Sequence, residues 1–439
     1  MTIPSHPVLS HLRHAVHGRV HLPDDATFES VHRPWNLAVA QPVCAVVEAS
    51  DADDVARLVR FAHATGLSVA AQPSGHGATG RAAGAILLRT GRLDRIDIDP
   101  AAKTATIGAG VRSGDLQRAA AAHGLTALPG SSPVVTVVGA ALGGGLSWFG
   151  RAFGWMADSI LAADVVTAEG TVRRVTPETD PELMWALKGG GGDLAIVTAL
   201  QLRLHDAPAV FGGRQLWPEE HAHDVMRAYR TMTASAPREL TLWLELLHFP
   251  GGEPLIAIDA TYLGPEADAR AAMCATADLP EPLSDTRTMM SAADLGTITA
   301  EPTAPGPGQS RGELLTRLDD SAVEALLDEP IAPLLTVQIR HLGGSLAQPN
   351  DNPHGGIREP YAIYMFGTPT DDRVSAQIAQ KQAALAEVLP VTGRKPITFL
   401  RPEEQLSDAL PTTSIDRLRA LKSTLDPAHT IRGNVGIVA

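Results

Sequence analysis

The first half of the chain alternates between apolar residues at helical spacing and short apolar runs. In residues 51–66 the apolar side chains fall on one helical face, acidic residues occupy the first turn, and Gly66 follows as a stop signal. The apolar run at residues 67–71 comes directly afterwards and is typical of a strand. This pattern predicts an α+β domain at the N-terminal end of the chain.

The same criteria predict further short elements up to about residue 205. Strands are predicted at residues 85–88, 96–98, 104–107 and 196–204, helices at 113–123 and 181–188, and a hairpin from 162–167 and 171–175. Loops of glycine and other small residues separate these elements at residues 71–80, 128–145 and 189–193. Because successive glycines let backbone N–H groups approach a ligand closely, these loops are candidate ligand sites.

The pattern changes from about residue 206, where longer helices and strands replace the glycine loops. Helices are predicted at residues 219–235 and 414–425, strands at 240–248 and 358–364, and loop inserts rich in proline or glycine at 301–312 and 348–356. A chain of 439 residues exceeds the usual size of a single hydrophobic core. We therefore predict two domains.

Charge and composition narrow the class of partner. The formal net charge is −13 and is spread along the chain, which argues against nucleic acid or an anionic membrane as the main partner. The first 20 residues lack an apolar export segment, and no later stretch approaches 18 uncharged apolar residues. We expect a cytoplasmic protein with a small neutral or cationic ligand, and the sequence indicates no oligomeric state.

Several common kinds of site are absent from the sequence. The two cysteines, Cys44 and Cys274, are far apart, so the sequence offers neither a disulfide framework nor a CxxC pair. HExxH and GxSxG motifs are missing, and no GxGxxG follows a first strand. We therefore expect no metal, no serine-hydrolase site and no Rossmann-type NAD site.

The loop at residues 71–80 reads AQPSGHGATG and places His76 in the middle of small residues. Residues 142–151 read LGGGLSWFGR, residues 163–170 read ADVVTAEG, and Pro34-Trp35-Asn36 lies upstream. This ordered set resembles the berberine-bridge-enzyme-like FAD-linked oxidases of bacteria, within the vanillyl-alcohol-oxidase superfamily that has the PCMH-type FAD-binding fold.

The resemblance implies an α+β, two-domain PCMH-type FAD-binding fold. Residues 1–205 would form the FAD-binding domain and residues 206–390 a substrate domain of antiparallel sheet backed by helices. Residues 391–439 would return to the FAD domain. FAD would lie in the cleft between the domains.

The resemblance also implies which residues contact FAD. His76 would bond covalently to the 8α-methyl group of the flavin, and this would be the single attachment because Ser132 stands where many relatives carry a second, cysteine tether. Ile196 and Val197 would lie beside the adenine half, and Asn434 against the isoalloxazine. The other implied contacts are Gln72, Pro73, Ser74, Gly75, Gly77, Ala78, Gly80, Gly130, Ser131, Pro133, Val138, Gly139, Leu142, Gly143 and Gly145.

The catalytic base is harder to predict, since Pro396 and Thr398 stand where many relatives carry the tyrosine and asparagine of a Y-x-N motif. Alternation within the predicted strands suggests replacements. Glu245 lies in an apolar strand, and Glu359 and Tyr361 would share one face of another. A partly buried carboxylate there could accept a substrate proton. The alternative, a surface salt bridge or an edge-strand charge, is the more common role of such a glutamate.

Trp148, which follows the second glycine loop, is a candidate for the substrate side of the flavin, with core packing as the alternative. The implied activity is a two-electron oxidation of a small secondary-metabolite substrate, with electrons passing through FAD to O2 to give H2O2. The alternatives are a flavin-dependent oxygenase of the enterocin-pathway type and a flavin- or ligand-binding protein without catalysis.

Overall fold

The computed structural model describes residues 6–207 and 209–437. Its helices are α1 (His6–Ala15), α2 (Phe28–Val31), α3 (Ala52–Thr65), α4 (Ser113–Ala121), α5 (Val137–Leu142), α6 (Gly150–Phe153), α7 (Pro181–Leu187), α8 (Ala222–Ser235), α9 (Glu266–Ala272), α10 (Asp320–Leu327), α11 (Asp372–Val388) and α12 (Thr412–Leu425). Among the described residues, none of the helices combines the length and apolar character needed to cross a membrane.

The strands are distributed along the whole described chain between these helices. They are β1 (Arg19–His21), β2 (Ala45–Glu48), β3 (Val69–Ala71), β4 (Ile86–Arg89), β5 (Ile96–Asp99), β6 (Thr104–Gly108), β7 (Leu125–Thr126), β8 (Ile160–Val166), β9 (Val172–Val175), β10 (Ile196–Arg203), β11 (His205–Asp206), β12 (Val210–Pro218), β13 (Leu240–Leu247), β14 (Leu255–Leu263), β15 (Ser284–Asp285), β16 (Thr288–Met290), β17 (Gln309–Leu315), β18 (Thr336–His341) and β19 (Tyr361–Gly367).

The N-terminal half contains one mostly parallel sheet, one antiparallel sheet of five strands and a short antiparallel pair of β7 and β11. The first has the strand order β1-β2-β4-β3, in which β2, β4 and β3 run parallel, and the second has the order β5-β6-β10-β8-β9. Helix α3 covers the first sheet. The Asp51 carboxylate caps it by accepting from the N–H of Asp54 at 2.8 Å, and Gly66 ends it with φ 71°. The predicted helix and the strand after it are confirmed.

The second half of the chain is built on one large antiparallel sheet, with the order β15-β12-β14-β13-β18-β19-β17 and β16 beside β12. Helices α8, α10 and α11 pack on one face of this sheet, which we call the outer face. Leu242 and Leu244 of β13 point to that face and contact the helices' apolar cluster. Trp243, between those two leucines, faces the N-terminal half of the chain, which we call the inner face. The predicted α+β fold with a helix-backed antiparallel sheet is confirmed, while the domain boundaries at residues 205 and 390 stay predictions.

Two predicted segments differ from the structure. The strand predicted at residues 358–364 begins only at Tyr361, because Pro360 has no N–H to donate to the sheet. The insert predicted at residues 301–312 is irregular only up to residue 308, and β17 starts at Gln309 and pairs with β19 along its whole length. The prolines that break the sheet lie before that point.

Arg151 joins the two halves of the fold. Its buried guanidinium donates to the carbonyl oxygens of Leu240 at 2.7 Å, Ala236 at 3.0 Å and Pro237 at 3.2 Å, all in the second half of the chain. It also lies 3.1 Å from Nε2 of His341 in β18. A buried cation held by several carbonyl groups fixes the inner face of the large sheet against the N-terminal half.

Candidate active site

His76 lies in the loop that follows β3, as the sequence predicts. Its ring stacks on Trp35 with a centroid distance of 4.1 Å, and its Nδ1 lies 2.8 Å from Oγ of Ser74. Nε2 is buried and has no hydrogen-bond partner among the described residues. Burial, together with the charge of Arg112, lowers the pKa of His76 to about 4, so the imidazole is neutral at neutral pH.

The backbone around His76 is suited to an anion. Gly75 and Gly80 have φ angles of 84° and 80°, which favour glycine. The N–H groups of Gly75, His76 and Gly77 donate to none of the residues that the structure describes. A Cβ added to Gly77 would meet only the Asn434 side chain, at 3.7 Å, so the loop borders open space. Unpaired N–H groups beside such space form the kind of cradle that binds phosphate.

The Pro34-Trp35-Asn36 motif is hydrogen-bonded both to the His76 loop and to another loop, since Trp35 N–H donates to the Ser74 oxygen at 2.9 Å. The Asn36 amide pairs with the backbone of Gly308, donating at 2.9 Å and accepting at 3.0 Å, and Leu37 N–H donates to Gly306 at 3.1 Å. These bonds anchor residues 301–308, which we call the covering loop. Sequence reasoning linked the motif to a family but missed this contact, because the two segments lie far apart in sequence.

The C-terminal segment returns to the same place. Asn434 Nδ2 donates to the carbonyl oxygen of Gly77 at 2.5 Å, and the Thr79 hydroxyl donates to the Asn434 backbone. The Asp193 carboxylate, at the end of the third glycine loop, accepts from the N–H groups of Gly433 at 2.6 Å and Ile437 at 3.0 Å. Asn434 therefore lies against the His76 loop, where the family resemblance implies a flavin contact.

A buried lysine completes this arrangement. Lys422 in α12 is 2% exposed, and its Nζ donates to the backbone oxygens of Asp193 at 2.6 Å and Ile431 at 2.7 Å and to Asp426 Oδ2 at 2.7 Å. This clamp joins α12, the third glycine loop and the C-terminal segment. The i, i+4 spacing of Lys422 and Asp426 was the only local signal that could have indicated it.

The second and third glycine loops meet around His354, which the sequence did not indicate. A Cβ on Gly144 would lie 2.7 Å from His354 Cε1, and a Cβ on Gly189 would lie 2.7 Å from His354 Nδ1. The imidazole stacks on Trp155 at 4.7 Å, and burial lowers its pKa to about 3. These two glycines therefore make room for a side chain of the second half of the chain.

The remaining predicted contacts surround the same region. Gly130 borders open space, since a Cβ there would come no closer than 3.8 Å to another heavy atom, the Leu146 oxygen. The side chains of Ile196 and Val197 are buried in β10, so only their backbone could contact a ligand. Val138, Gly139 and Leu142 lie in α5, with Ser131, Ser132 and Pro133 in the loop before it and Gly143 and Gly145 in the loop after it.

Four buried polar atoms around these loops have no hydrogen-bond partner among the described residues: Nε2 of His76, Nε1 of Trp148, Nε1 of Trp155 and Nε2 of His354. Each unpaired group of this kind costs about 1–3 kcal/mol. A ligand rich in oxygen and nitrogen atoms would satisfy them. FAD is such a molecule, so the residues present fit the cofactor that the sequence predicts.

On the inner face of the large sheet, Glu245 is fully engaged. Oε2 accepts from Arg214 at 2.8 Å, and Oε1 accepts from Gln338 at 2.6 Å. Burial first, and then the neighbouring Asp259 carboxylate, raise the pKa of Glu245 to about 8. Both oxygens are occupied, so this glutamate is better suited to positioning its neighbours than to serving as a free base.

Trp148 also lies at this inner face. It is fully buried and stacks on Trp243 with a centroid distance of 3.6 Å. The guanidinium of Arg340 covers Trp243, with Cζ 3.9 Å from the ring centroid. Trp148 thus contacts the second half of the chain directly, while its role toward substrate stays a prediction.

The structure does not bring Glu359 and Tyr361 together on one strand face. Tyr361 lies on the outer face, where its hydroxyl is 2.8 Å from the Thr233 hydroxyl of α8. Glu359 precedes the strand, and its Oε2 lies 4.0 Å from Arg394 Nη1. The expectation of a shared face is wrong, because the strand begins only after Pro360. The tyrosine of this strand that lies on the inner face is Tyr364.

The segment around Pro396 and Thr398, which stands in place of the Y-x-N motif, is fixed by ion pairs of Lys395 and by packing of Phe399. Lys395 forms ion pairs with Glu313 at 2.5 Å and with Glu404 at 3.2 Å. Phe399 packs on Tyr364 with a centroid distance of 4.9 Å and fills the space left by Gly312. An aromatic ring therefore occupies this part of the inner face.

Comparisons with known proteins agree with this geometry. The model of the FAD-binding domain family matches residues 43–176, which include the His76 loop and the second glycine loop. (R)-6-hydroxynicotine oxidase of Paenarthrobacter nicotinovorans is 36% identical over 196 residues, which are 44% of this chain and 43% of that protein. Residues 43–176 therefore match an FAD-binding domain, and the chain is similar in sequence to an FAD-linked oxidase over less than half of its length.

Solved structures share this FAD-binding fold over nearly the whole chain. 6-hydroxy-D-nicotine oxidase from Arthrobacter nicotinovorans superimposes with a TM-score of 0.84 and 24% identity, covering 96% of this chain and 98% of the other. The berberine-bridge-enzyme-like protein 1 of Physcomitrella patens gives a TM-score of 0.85 at 21% identity, covering 98% of both chains. At these identities the likeness concerns the fold. The sequence match with the P. nicotinovorans oxidase spans less than half of that relative.

Proposed function

We propose that this FAD-linked oxidoreductase is an oxidase with FAD bonded covalently to His76, acting on a small organic substrate and passing two electrons to O2 to give H2O2. The observation that carries the proposal is the neutral imidazole of His76, whose buried Nε2 has no partner among the described residues. It is set in a loop whose backbone N–H groups donate to none of those residues either. If the Ser74 hydroxyl accepts from Nδ1–H, the lone pair of the ring lies on Nε2, which is then able to form a bond.

The proposed FAD site is formed by the three glycine loops and the C-terminal segment. The N–H groups of the His76 loop would hold the pyrophosphate, and Nε1 of Trp148, which has no partner among the described residues, would donate to a cofactor acceptor atom. Asn434 would keep its place beside the loop and contact the ring system. When bound, FAD accepts two electrons from the substrate and releases them to an acceptor.

The substrate would lie between the flavin and the inner face of the large sheet. Tyr364 and Phe399 provide aromatic surface there, beside the Arg340 guanidinium. Burial raises the pKa of Tyr364, so its hydroxyl keeps its proton at neutral pH and can donate to the reacting group of the substrate. We propose Tyr364 for this contact in place of Tyr361.

The two tyrosines of β19 allow a matched test of that assignment. We expect Tyr364→Phe to lower the anaerobic rate constant of flavin reduction about 10- to 100-fold, because a hydrogen bond to the reacting group is lost. Tyr361→Phe removes the same atom from the outer face and should change this rate by less than about two-fold. Stopped-flow absorbance at 450 nm measures both. Equal effects of the two variants would contradict the assignment.

The proposed function is tested on the purified wild-type protein. We expect a yellow protein whose flavin stays in the pellet after acid precipitation and which releases one H2O2 for each substrate oxidised. Flavin found wholly in the supernatant would refute the covalent bond while leaving the oxidase open. Incorporation of 18O from 18O2 into the product would indicate the oxygenase instead, and a colourless protein would refute both.

A further inference from the structure

A relay of buried polar side chains crosses the inner face of the large sheet. Arg214 donates to both oxygens of Asp259, at 2.6 and 2.7 Å, and to Glu245 at 2.8 Å. Gln338 donates to the other oxygen of Glu245 at 2.6 Å and accepts from Arg340 Nη2 at 2.7 Å and Nε at 3.1 Å. Every member is therefore held in place by the next, and the relay ends at Arg340.

The guanidinium of Arg340 is fixed on two sides. Gln338 holds two of its nitrogens, and its face lies on the ring of Trp243. Nη1 donates to none of the residues that the structure describes. Arg340 is 8% exposed, and the aromatic rings of Tyr364 and Phe399 lie 5.5 and 5.2 Å from its Cζ. A rigid, buried guanidinium with a spare donor edge among aromatic rings is suited to binding an oxygen anion.

The side-chain charges of the relay favour the binding of an anion at Arg340. Arg214 and Arg340 are cationic, and Asp259 is bound on both oxygens by Arg214. Burial raises the pKa values of Glu245 and Asp259, so this carboxyl pair favours holding a proton, and the two arginines of the relay are then not fully neutralised by it. Glu301 in the covering loop adds a negative charge nearby but forms no ion pair with a described residue.

We infer that Arg340 binds the substrate through an anionic oxygen, a carboxylate or phenolate carried on an aromatic ring beside Tyr364 and Phe399. This inference rests on the proposed function and adds the substrate class. It also differs from what the net charge of −13 suggests. The local field of the relay, rather than the charge of the whole chain, determines which ligand the site accepts.

The test measures binding without turnover, by calorimetry on the oxidised holoenzyme at neutral pH. Formate, benzoate and 2-naphthoate serve as probes of increasing size, each compared with its neutral amide. We expect at least one acid to bind about 10- to 100-fold more tightly than its amide. Arg340→Gln should remove this preference and leave the affinity for the amide unchanged. Arg340→Lys should restore part of it.

Two further variants keep the test decisive if Arg340→Gln fails to fold. Arg311→Gln removes an arginine from the neighbouring strand β17 that pairs with Glu313 instead of the relay, and should leave the acid preference intact. Glu301→Gln should strengthen acid binding about 2- to 5-fold by removing a repulsive charge. This inference alone is refuted if the enzyme is yellow and produces H2O2 but prefers none of the three acids to its amide. It is also refuted if Arg340→Gln weakens the binding of acid and amide equally. A colourless protein refutes the proposed function.

Discussion

The His76→Ala variant is expected to carry no acid-stable flavin, whereas we expect the wild-type protein to keep all of its flavin in the acid pellet. His76 is the only residue of its loop with a nucleophilic ring nitrogen, and Nε2 is buried, neutral and unpartnered among the described residues. Without the covalent bond, FAD would still accept hydrogen bonds from the backbone N–H groups of the loop. We therefore expect reversible FAD binding and a kcat about 10- to 100-fold lower, because the ring is positioned less tightly.

Two control variants separate the bond from general damage to the site. His32→Ala removes a half-buried histidine from a neighbouring segment and should retain flavin as the wild type does. Ser74→Ala removes the partner of Nδ1, so the lone pair on Nε2 is no longer favoured, and we expect slower bond formation with the same final extent. Acid-stable flavin in His76→Ala, measured by absorbance of the washed pellet, would refute the assignment.

Sequence patterns predicted those parts of the fold that are determined by residues close together in the sequence. The helix after Asp51 and the strand after Gly66 follow from a cap, an apolar stripe and a stop signal that lie within 20 residues. The His76 loop is similarly local, since its glycines and Ser74 act on the histidine beside them. The inner and outer faces of β13 followed from strict alternation along the strand.

The parts of the site that the sequence missed depend on contacts between distant segments. His354 enters between Gly144 and Gly189, and nothing near residue 354 indicates this. The sequence gives glycine loops a ligand-binding role, whereas packing against His354 accounts for these two glycines. The clamp formed by Lys422 and Asp193 joins residues more than 200 positions apart, so its geometry could be found only in three dimensions.

The error at Tyr361 has a different cause. Alternation was applied from residue 358, but a proline within a predicted strand moves the start of the hydrogen-bonded ladder. Tyr361 then faces α8, and Tyr364 takes the inner face. The relay of Arg214, Glu245 and Gln338 could not be foreseen either, because cross-strand neighbours depend on strand order.

Acidification is expected to destabilise the protein steeply below pH 6.5. Burial lowers the pKa of His205 to about 4 and those of His341 and His354 to about 3, from an ordinary value of 6.5. The pKa of His76 is lowered as well, but His76 is not counted because the proposed flavin bond would occupy its Nε2. The unfolded chain therefore binds about three protons near pH 5 that the folded chain does not, so stability is complete above 6.5 and falls as the pH drops. Glu245 works in the opposite direction, because its raised pKa lets the folded state keep a proton that the unfolded state loses.

The net difference of about two protons near pH 5 corresponds to a loss of about 3 kcal/mol between pH 6.5 and pH 5. This is a large share of the 5–15 kcal/mol that is typical of folded proteins. Urea unfolding at each pH measures it. His205→Gln should reduce the loss by about 1.5 kcal/mol and Glu245→Gln should increase it, while replacing the exposed His223 by glutamine should change nothing. A stability that stays constant down to pH 5 would show that these imidazoles titrate alike in the folded and unfolded chain.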